Sequence, residues 1–141
     1  MLALEYLLEE AKASGLPLLK RRAILREYLQ VIILDSIYKH PLGKSMFFAG
    51  GTALRFFYNL PRFSEDLDFD ARSLNLKEFK EILKVVAEGL RREGFSPQPS
   101  LEKRKNLFSA ELNFAGLMKL YGITDTRGLD LMIKIEVYRP Q

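Results

Sequence analysis

Leu4, Leu7, Leu8 and Ala11 recur at helical spacing through residues 2–13, with charged residues between them, and predict an amphipathic helix. Gly15 is placed to stop it, and Pro17 suits the first turn of a second helix. From about 18 to 39 a second stripe runs through Ile24, Leu25, Tyr28, Leu29, Ile32 and Ile37. Lys20-Arg21-Arg22 and Arg26-Glu27 fall on its other face. Pro41 disfavours helix at His40, so this long helix should end there. His40 is the sole histidine, and beside a helix end it reads as a capping residue rather than a catalytic one.

The pattern then changes. Met46-Phe47-Phe48-Ala49 is a short apolar strand that runs into Gly50-Gly51. Residues 52–58 read as a helix that Thr52 could cap. Pro61 breaks the pattern, and a second strand follows around Leu67-Asp68-Phe69. Leu76, Phe79, Ile82, Leu83, Val86 and Leu90 mark a further amphipathic helix over 76–92, with Gly94 placed to end it. Alternation over 106–115 and 129–138 predicts a strand pair joined by a polar turn around Thr124–Gly128. There is no internal repeat. The order is a mixed α+β fold, a small mixed sheet flanked by helices, in one domain over 1–141. Residues 1–42 form its helical N-terminal part and 43–141 its core.

Composition narrows the class without choosing a function. The hydrophobic share is 48% and the charged share 28%, as in soluble globular proteins. No apolar run approaches the roughly 20 residues that span a bilayer, and the acids within the N-terminal pattern do not suit a signal peptide. The chain has no cysteine, which excludes disulfides and thiolate metal sites. A cytoplasmic location and no membrane partner follow as the default. Lys plus Arg exceed Asp plus Glu by 22 to 18, for a net charge of +4. That excess suits a nucleotide or nucleic-acid partner and equally a merely soluble surface, and charge alone leaves both open.

The candidate chemistry lies between residues 50 and 68. Asp66 and Asp68 on one strand project from the same face, while Leu67 turns to the core. Two carboxylates so close repel, and a hard divalent cation such as Mg²⁺ relieves them. The competing reading is a solvated acidic strand end, with Glu65 and Asp70 beside it. Gly50-Gly51 lets a backbone approach phosphate at the N-terminus of the next helix, or is an ordinary tight turn. The order strand, Gly-Gly, helix, strand with two acids places a phosphate cradle and a metal clamp at the same ends of adjacent strands.

The stretch Phe48-Ala49-Gly50-Gly51-Thr52-Ala53-Leu54, followed by Pro61-Arg62-Phe63-Ser64-Glu65-Asp66-Leu67-Asp68-Phe69, resembles the first motif of the AbiEii-type nucleotidyltransferases, the toxin components of toxin–antitoxin pairs. The resemblance is tight over 48–69. It implies Mg²⁺-dependent transfer of a nucleoside monophosphate from an NTP to an RNA (tRNA included) or protein acceptor, with a cognate antitoxin as partner. It implies Asp66 and Asp68 as catalytic metal ligands, and Gly50, Gly51, Thr52, Arg62 and Ser64 as the nucleotide-binding set. A third carboxylate from a neighbouring strand is also implied. In Met132-Ile133-Lys134-Ile135-Glu136-Val137, Glu136 fits that place as metal ligand or general base, and Lys134 on the same face would offset phosphate charge. Asp130 has the same parity and is the rival third acid.

Arg55 and Arg62 are candidate phosphate or acceptor contacts, and Ser64 suits a role in fixing the loop before the acids. Glu102-Lys103-Arg104-Lys105 could touch RNA but reads more simply as a solvated turn between strands. In the resembled family a helical region with further Lys, Arg and Asp residues follows the third-acid strand. This chain is therefore expected to bind Mg-NTP weakly, to transfer poorly, and to self-associate through an exposed apolar patch. The alternative function is a nucleotide-binding module with little or no turnover.

Overall fold

The computed structural model describes residues 1–60, 63–123, 128 and 130–139. Among the described residues there are five α-helices, α1 (Leu4–Ala13), α2 (Arg21–Lys39), α3 (Gly50–Tyr58), α4 (Leu76–Arg92) and the single-turn α5 (Leu117–Leu120), and five strands. The strands are β1 (Phe47–Ala49), β2 (Leu67–Asp70), β3 (Gln98–Arg104), β4 (Leu107–Phe114) and β5 (Leu131–Tyr138). They form one mixed sheet in the order β1-β2-β5-β4-β3. Only the central β2–β5 pair is parallel; the other three are antiparallel.

Period-two patterning decides which face of this sheet is core. Leu67 and Phe69, Phe108, Ala110, Leu112 and Phe114, and Leu131, Ile133, Ile135 and Val137 are buried together with α1, α2 and α4 in one cluster. The alternate positions Asp68, Ser109, Glu111, Lys134 and Glu136 are half-buried on the opposite face. The register sets that open face out in rows. Ala49, Asp68, Glu136, Ser109 and Glu102 lie across the five strands in one row, and Lys134, Glu111 and Ser100 in the next. A sheet with one dry and one wet face is what such alternation produces.

The helices owe their positions to specific contacts. Asn75 and Glu78 close a reciprocal capping box at the start of α4. Gly94, at φ +92°, ends it, and the Phe95 amide bonds back to the Leu90 carbonyl at 3.0 Å. Gly89 lets α4 approach α2, because a Cβ there would stand 2.2 Å from Ser36 Oγ. Phe79 of α4 stacks on Phe108 of β4 at 5.4 Å. No helix among the described residues is long and apolar enough to cross a membrane.

Four details differ from the sequence reading. Helix α2 begins at Arg21, not near 18, because Leu18-Leu19 form a turn with Leu19 in solvent; Pro17 accordingly precedes the helix instead of opening it. The first acidic strand starts at Leu67, with Asp66 just ahead of it. Glu102-Lys103-Arg104 are strand, the edge β3, and the turn is at Lys105-Asn106. Finally, α5 follows β4 with Gly116 at φ +66° as its cap. The predicted strands at 106–115 and 129–138 do pair, antiparallel, while the turn at Thr124–Gly128 lies outside the described residues apart from Gly128. His40 is a cap, as expected: its Nδ1 accepts from the Leu42 amide at 3.1 Å at the start of a 3-10 helix over Pro41–Ser45.

Candidate active site

The Gly-Gly step sits where β1 ends and α3 begins, and two separate constraints act on it. Gly50 has φ +74°, and a Cβ on it would meet Asp68 Oδ2 at 2.5 Å. Either condition alone disfavours any other residue. Gly51 has ordinary backbone angles, but a Cβ there would stand 3.1 Å from Ser64 Oγ. The two glycines therefore bring the start of α3 against the acidic strand and the loop before it. The first amides of α3 have no intrahelical acceptor and form the kind of end that receives phosphate.

Asp68 is paired in register with Glu136 on β5 and with Ala49 on β1. Burial first, then the neighbouring charges of Asp66, Glu136 and Asp70, pushes the Asp68 carboxyl above its usual range; Lys134 opposes the shift. The structure thus brings Asp66, Asp68, Glu136 and Lys134 into one electrostatic neighbourhood. Asp130, the rival third acid, is engaged elsewhere. Its carboxylate accepts from the Gly116 amide at 2.8 Å and from Asn113 Nδ2 at 3.4 Å, bracing the turn after β4.

These residues suit a hard divalent cation, although among the described residues no three acids converge into a ready-made cage. Mg²⁺ retains several waters and is commonly bound by one or two carboxylates plus substrate phosphates. Burial first, and then the neighbouring acids, penalise an ionised Asp68, and such a cation would relieve that penalty.

Two expected contacts are corrected. Thr52 does not cap α3: the helix begins at Gly50, its cap position Ala49 makes no side-chain bond, and Thr52 is buried. The Thr52 hydroxyl donates to the Asp66 backbone carbonyl instead, tying α3 to the acid. Arg55 is not free for phosphate. It is 5% exposed, its Nε and Nη2 bond both carboxylate oxygens of Glu27 at 3.2 and 3.1 Å, and Nη1 donates to Asn59 Oδ1 at 3.0 Å. This fork pins α3 to α2. Ser64 flanks Gly51, in keeping with a role in loop geometry, and Arg62 lies outside the described residues.

Sequence reasoning passed over Gln30. It interrupts the apolar stripe of α2, is 1% exposed, and donates through Nε2 to the carbonyls of Ser64 and Glu65, both at 3.0 Å. A glutamine among Leu29, Ile32 and Ile33 was the available signal, since a buried amide needs partners. An apolar groove of about 710 Å³ lies between α2, β1 and α3, with Val31, Tyr38, Phe47 and Phe57 on its walls. It contains none of the candidate site residues.

Gly51→Val is expected to weaken Mg-NTP affinity about tenfold or more in a folded protein, by filling the approach to the α3 amides and crowding Ser64. Nucleotide titration of parent and variant checks this; unchanged affinity would make the pair an ordinary turn.

Comparison with known proteins gives the family and the fold. The family described as nucleotidyl transferase AbiEii toxin, type IV TA system, matches residues 32–140. A crystal structure of a candidate nucleotidyltransferase from H. pylori aligns with a TM-score of 0.54 at 24% identity, covering 82% of this chain and 44% of that one. The crystal structure of JHP933 from Helicobacter pylori aligns with a TM-score of 0.52 at 23% identity, covering 84% and 46%. At these identities the likeness establishes the fold. The chain spans less than half the length of either structure. No curated protein matches it.

Proposed function

The chain belongs to the AbiEii family of nucleotidyltransferase toxins, and we propose that it uses Asp66, Asp68 and Glu136 to transfer a nucleoside monophosphate from an NTP to a hydroxyl of an RNA or protein acceptor. The observation that supports this reading is the close approach of Gly50 to Asp68, where a Cβ on Gly50 would stand 2.5 Å from Asp68 Oδ2. Asp66 and Asp68 would hold Mg²⁺, with Glu136 beside them. When bound, the ion would neutralise the triphosphate and stabilise the departing pyrophosphate.

The chain's own residues account for the remaining steps. The Gly50-Gly51 backbone receives the phosphates, Thr52 fixes the Asp66 carbonyl, and Ser64 holds the facing loop. The acceptor oxygen attacks the α-phosphorus, the bond from that phosphorus to the β-phosphate bridge breaks, and pyrophosphate leaves. Glu136 takes the acceptor hydroxyl proton, a role its place next to Asp68 suits. Lys134 offsets phosphate charge from the same face. The setting is a toxin–antitoxin system in the cytoplasm, with the antitoxin as the opposing component.

A second reading is nucleotide binding with little or no turnover. One experiment separates them. Each α-labelled NTP is incubated with the protein, Mg²⁺, total RNA and total protein, and binding and label transfer are followed together. Mg²⁺-dependent transfer supports the first reading and saturable binding without transfer the second. Absence of Mg²⁺-dependent binding would overturn both.

A further inference from the structure

Arg22, Arg26 and Gln30 stand one turn apart along α2, on a single face of the helix. The outer two are committed to backbone. Arg22 Nη2 donates to the Asp130 carbonyl at 2.6 Å and Nη1 to that of Gly128 at 3.3 Å, at the foot of β5. Gln30 holds the carbonyls of Ser64 and Glu65 at the foot of β2. β2 and β5 are adjacent and parallel, with Leu67 at the start of β2 opposite Ile135 of β5, and Arg26 comes between Arg22 and Gln30 along the helix.

Arg26 itself is left without a hydrogen-bond partner among the described residues. Its Nε is buried and unsatisfied. Burial disfavours its charge and Arg22 adds repulsion, while Glu65 and Asp66 pull the other way. A half-buried guanidinium without an acceptor is unfavourable, and its fork of donors fits the oxygens of a phosphate. Ser64, whose carbonyl Gln30 holds, turns its hydroxyl toward Gly51. Gln30 on this face of α2 thus holds the loop that flanks Gly51, and Arg26, one turn away, lies within electrostatic reach of Glu65 and Asp66.

We propose that Arg26 binds a phosphate of the incoming nucleoside triphosphate, as a cation delivered by the N-terminal helix across the foot of β2. The inference rests on the nucleotide reading above and adds a residue to it. Arg26 lies ahead of residue 32, where the family match begins, and so belongs to the part of the chain that the match leaves unassigned.

The test measures dissociation constants for Mg-ATP, Mg-GTP, Mg-CTP and Mg-UTP, and for Mg²⁺ alone, on the parent chain, Arg26→Met and Arg26→Lys. Arg26→Met should lose about tenfold or more in NTP affinity, with Arg26→Lys between it and the parent, because lysine keeps the charge but not the fork. Affinity for Mg²⁺ alone should hold or tighten, since a cation near Asp66 has been removed. The opposite signs distinguish phosphate binding from a structural role, which would weaken both. Unchanged NTP affinity in both variants, or a parallel loss of Mg²⁺ and NTP, overturns the assignment of Arg26 and leaves the nucleotide reading intact. A parent chain that binds no Mg-NTP overturns the nucleotide reading and the proposal together.

Discussion

Asp68→Asn is expected to lower Mg²⁺-dependent nucleotide transfer by a factor on the order of a hundred or more, because it removes a charge from the metal clamp that must stabilise the departing pyrophosphate. The same substitution should leave the metal-free fold as stable as the parent or more so. Folding carries Asp68 into partial burial beside Asp66, Glu136 and Asp70, and its pKa is raised above the ordinary carboxylate value. A carboxyl with a raised folded pKa opposes folding when ionised. The penalty is therefore full above the folded pKa and fades as pH falls through that pKa toward the unfolded value. The stability advantage of the Asn variant should be largest near neutrality and shrink on acidification into the carboxylate range. Thermal melts of both proteins in EDTA across pH would show this. A less stable variant, or a pH-independent difference, would contradict the electrostatic account of the site.

Arg55→Met should destabilise the protein by about 3 kcal/mol, because it strands Glu27 and Asn59 at the junction of α2 and α3. For a domain of this size that corresponds to a fall in Tm of roughly 10 °C. The lower end of the range for a broken buried pair applies, since the Glu27 side chain keeps 18% of its exposure. Replacing Glu27 by Leu in the same protein should recover much of the loss. Nucleotide affinity of the folded Arg55→Met protein should match the parent, as the guanidinium faces Glu27 and not the cradle. A stable variant with weakened NTP binding would restore Arg55 as a phosphate contact.

Arg55 and β3 show where sequence patterning reached its limit. The long stripes of α2 and α4 and the alternation of β4 and β5 were legible because each buries one face against a common core, so apolar spacing reports geometry directly. The edge strand β3 carries no such record. Every residue in it but Leu101 is exposed, and Pro99 and three charged residues suit an unprotected edge. Gly-Gly and the two acids were legible as chemistry since their residue types are costly without a use: Gly50 for its backbone angle and Asp68 for its crowding. Arg55 read as a phosphate ligand because an arginine beside a glycine pair carries no sign of its partner. Glu27 is 28 positions away, and only the packing of α3 on α2 joins them. The same long-range packing set Gln30 beside Ser64 and chose Glu136 over Asp130 as the acid next to Asp68.

The central claim is that Gly50-Gly51 and the acids of β2 form one site for a metal-bound nucleotide. Equilibrium dialysis of labelled NTP tests it most directly, with the parent chain and the Asp66→Asn/Asp68→Asn double variant compared in Mg²⁺ and in EDTA. Saturable binding by the parent in Mg²⁺, lost in EDTA and lost in the double variant, is the predicted result. Equal binding by both proteins, or binding indifferent to the metal, would contradict it.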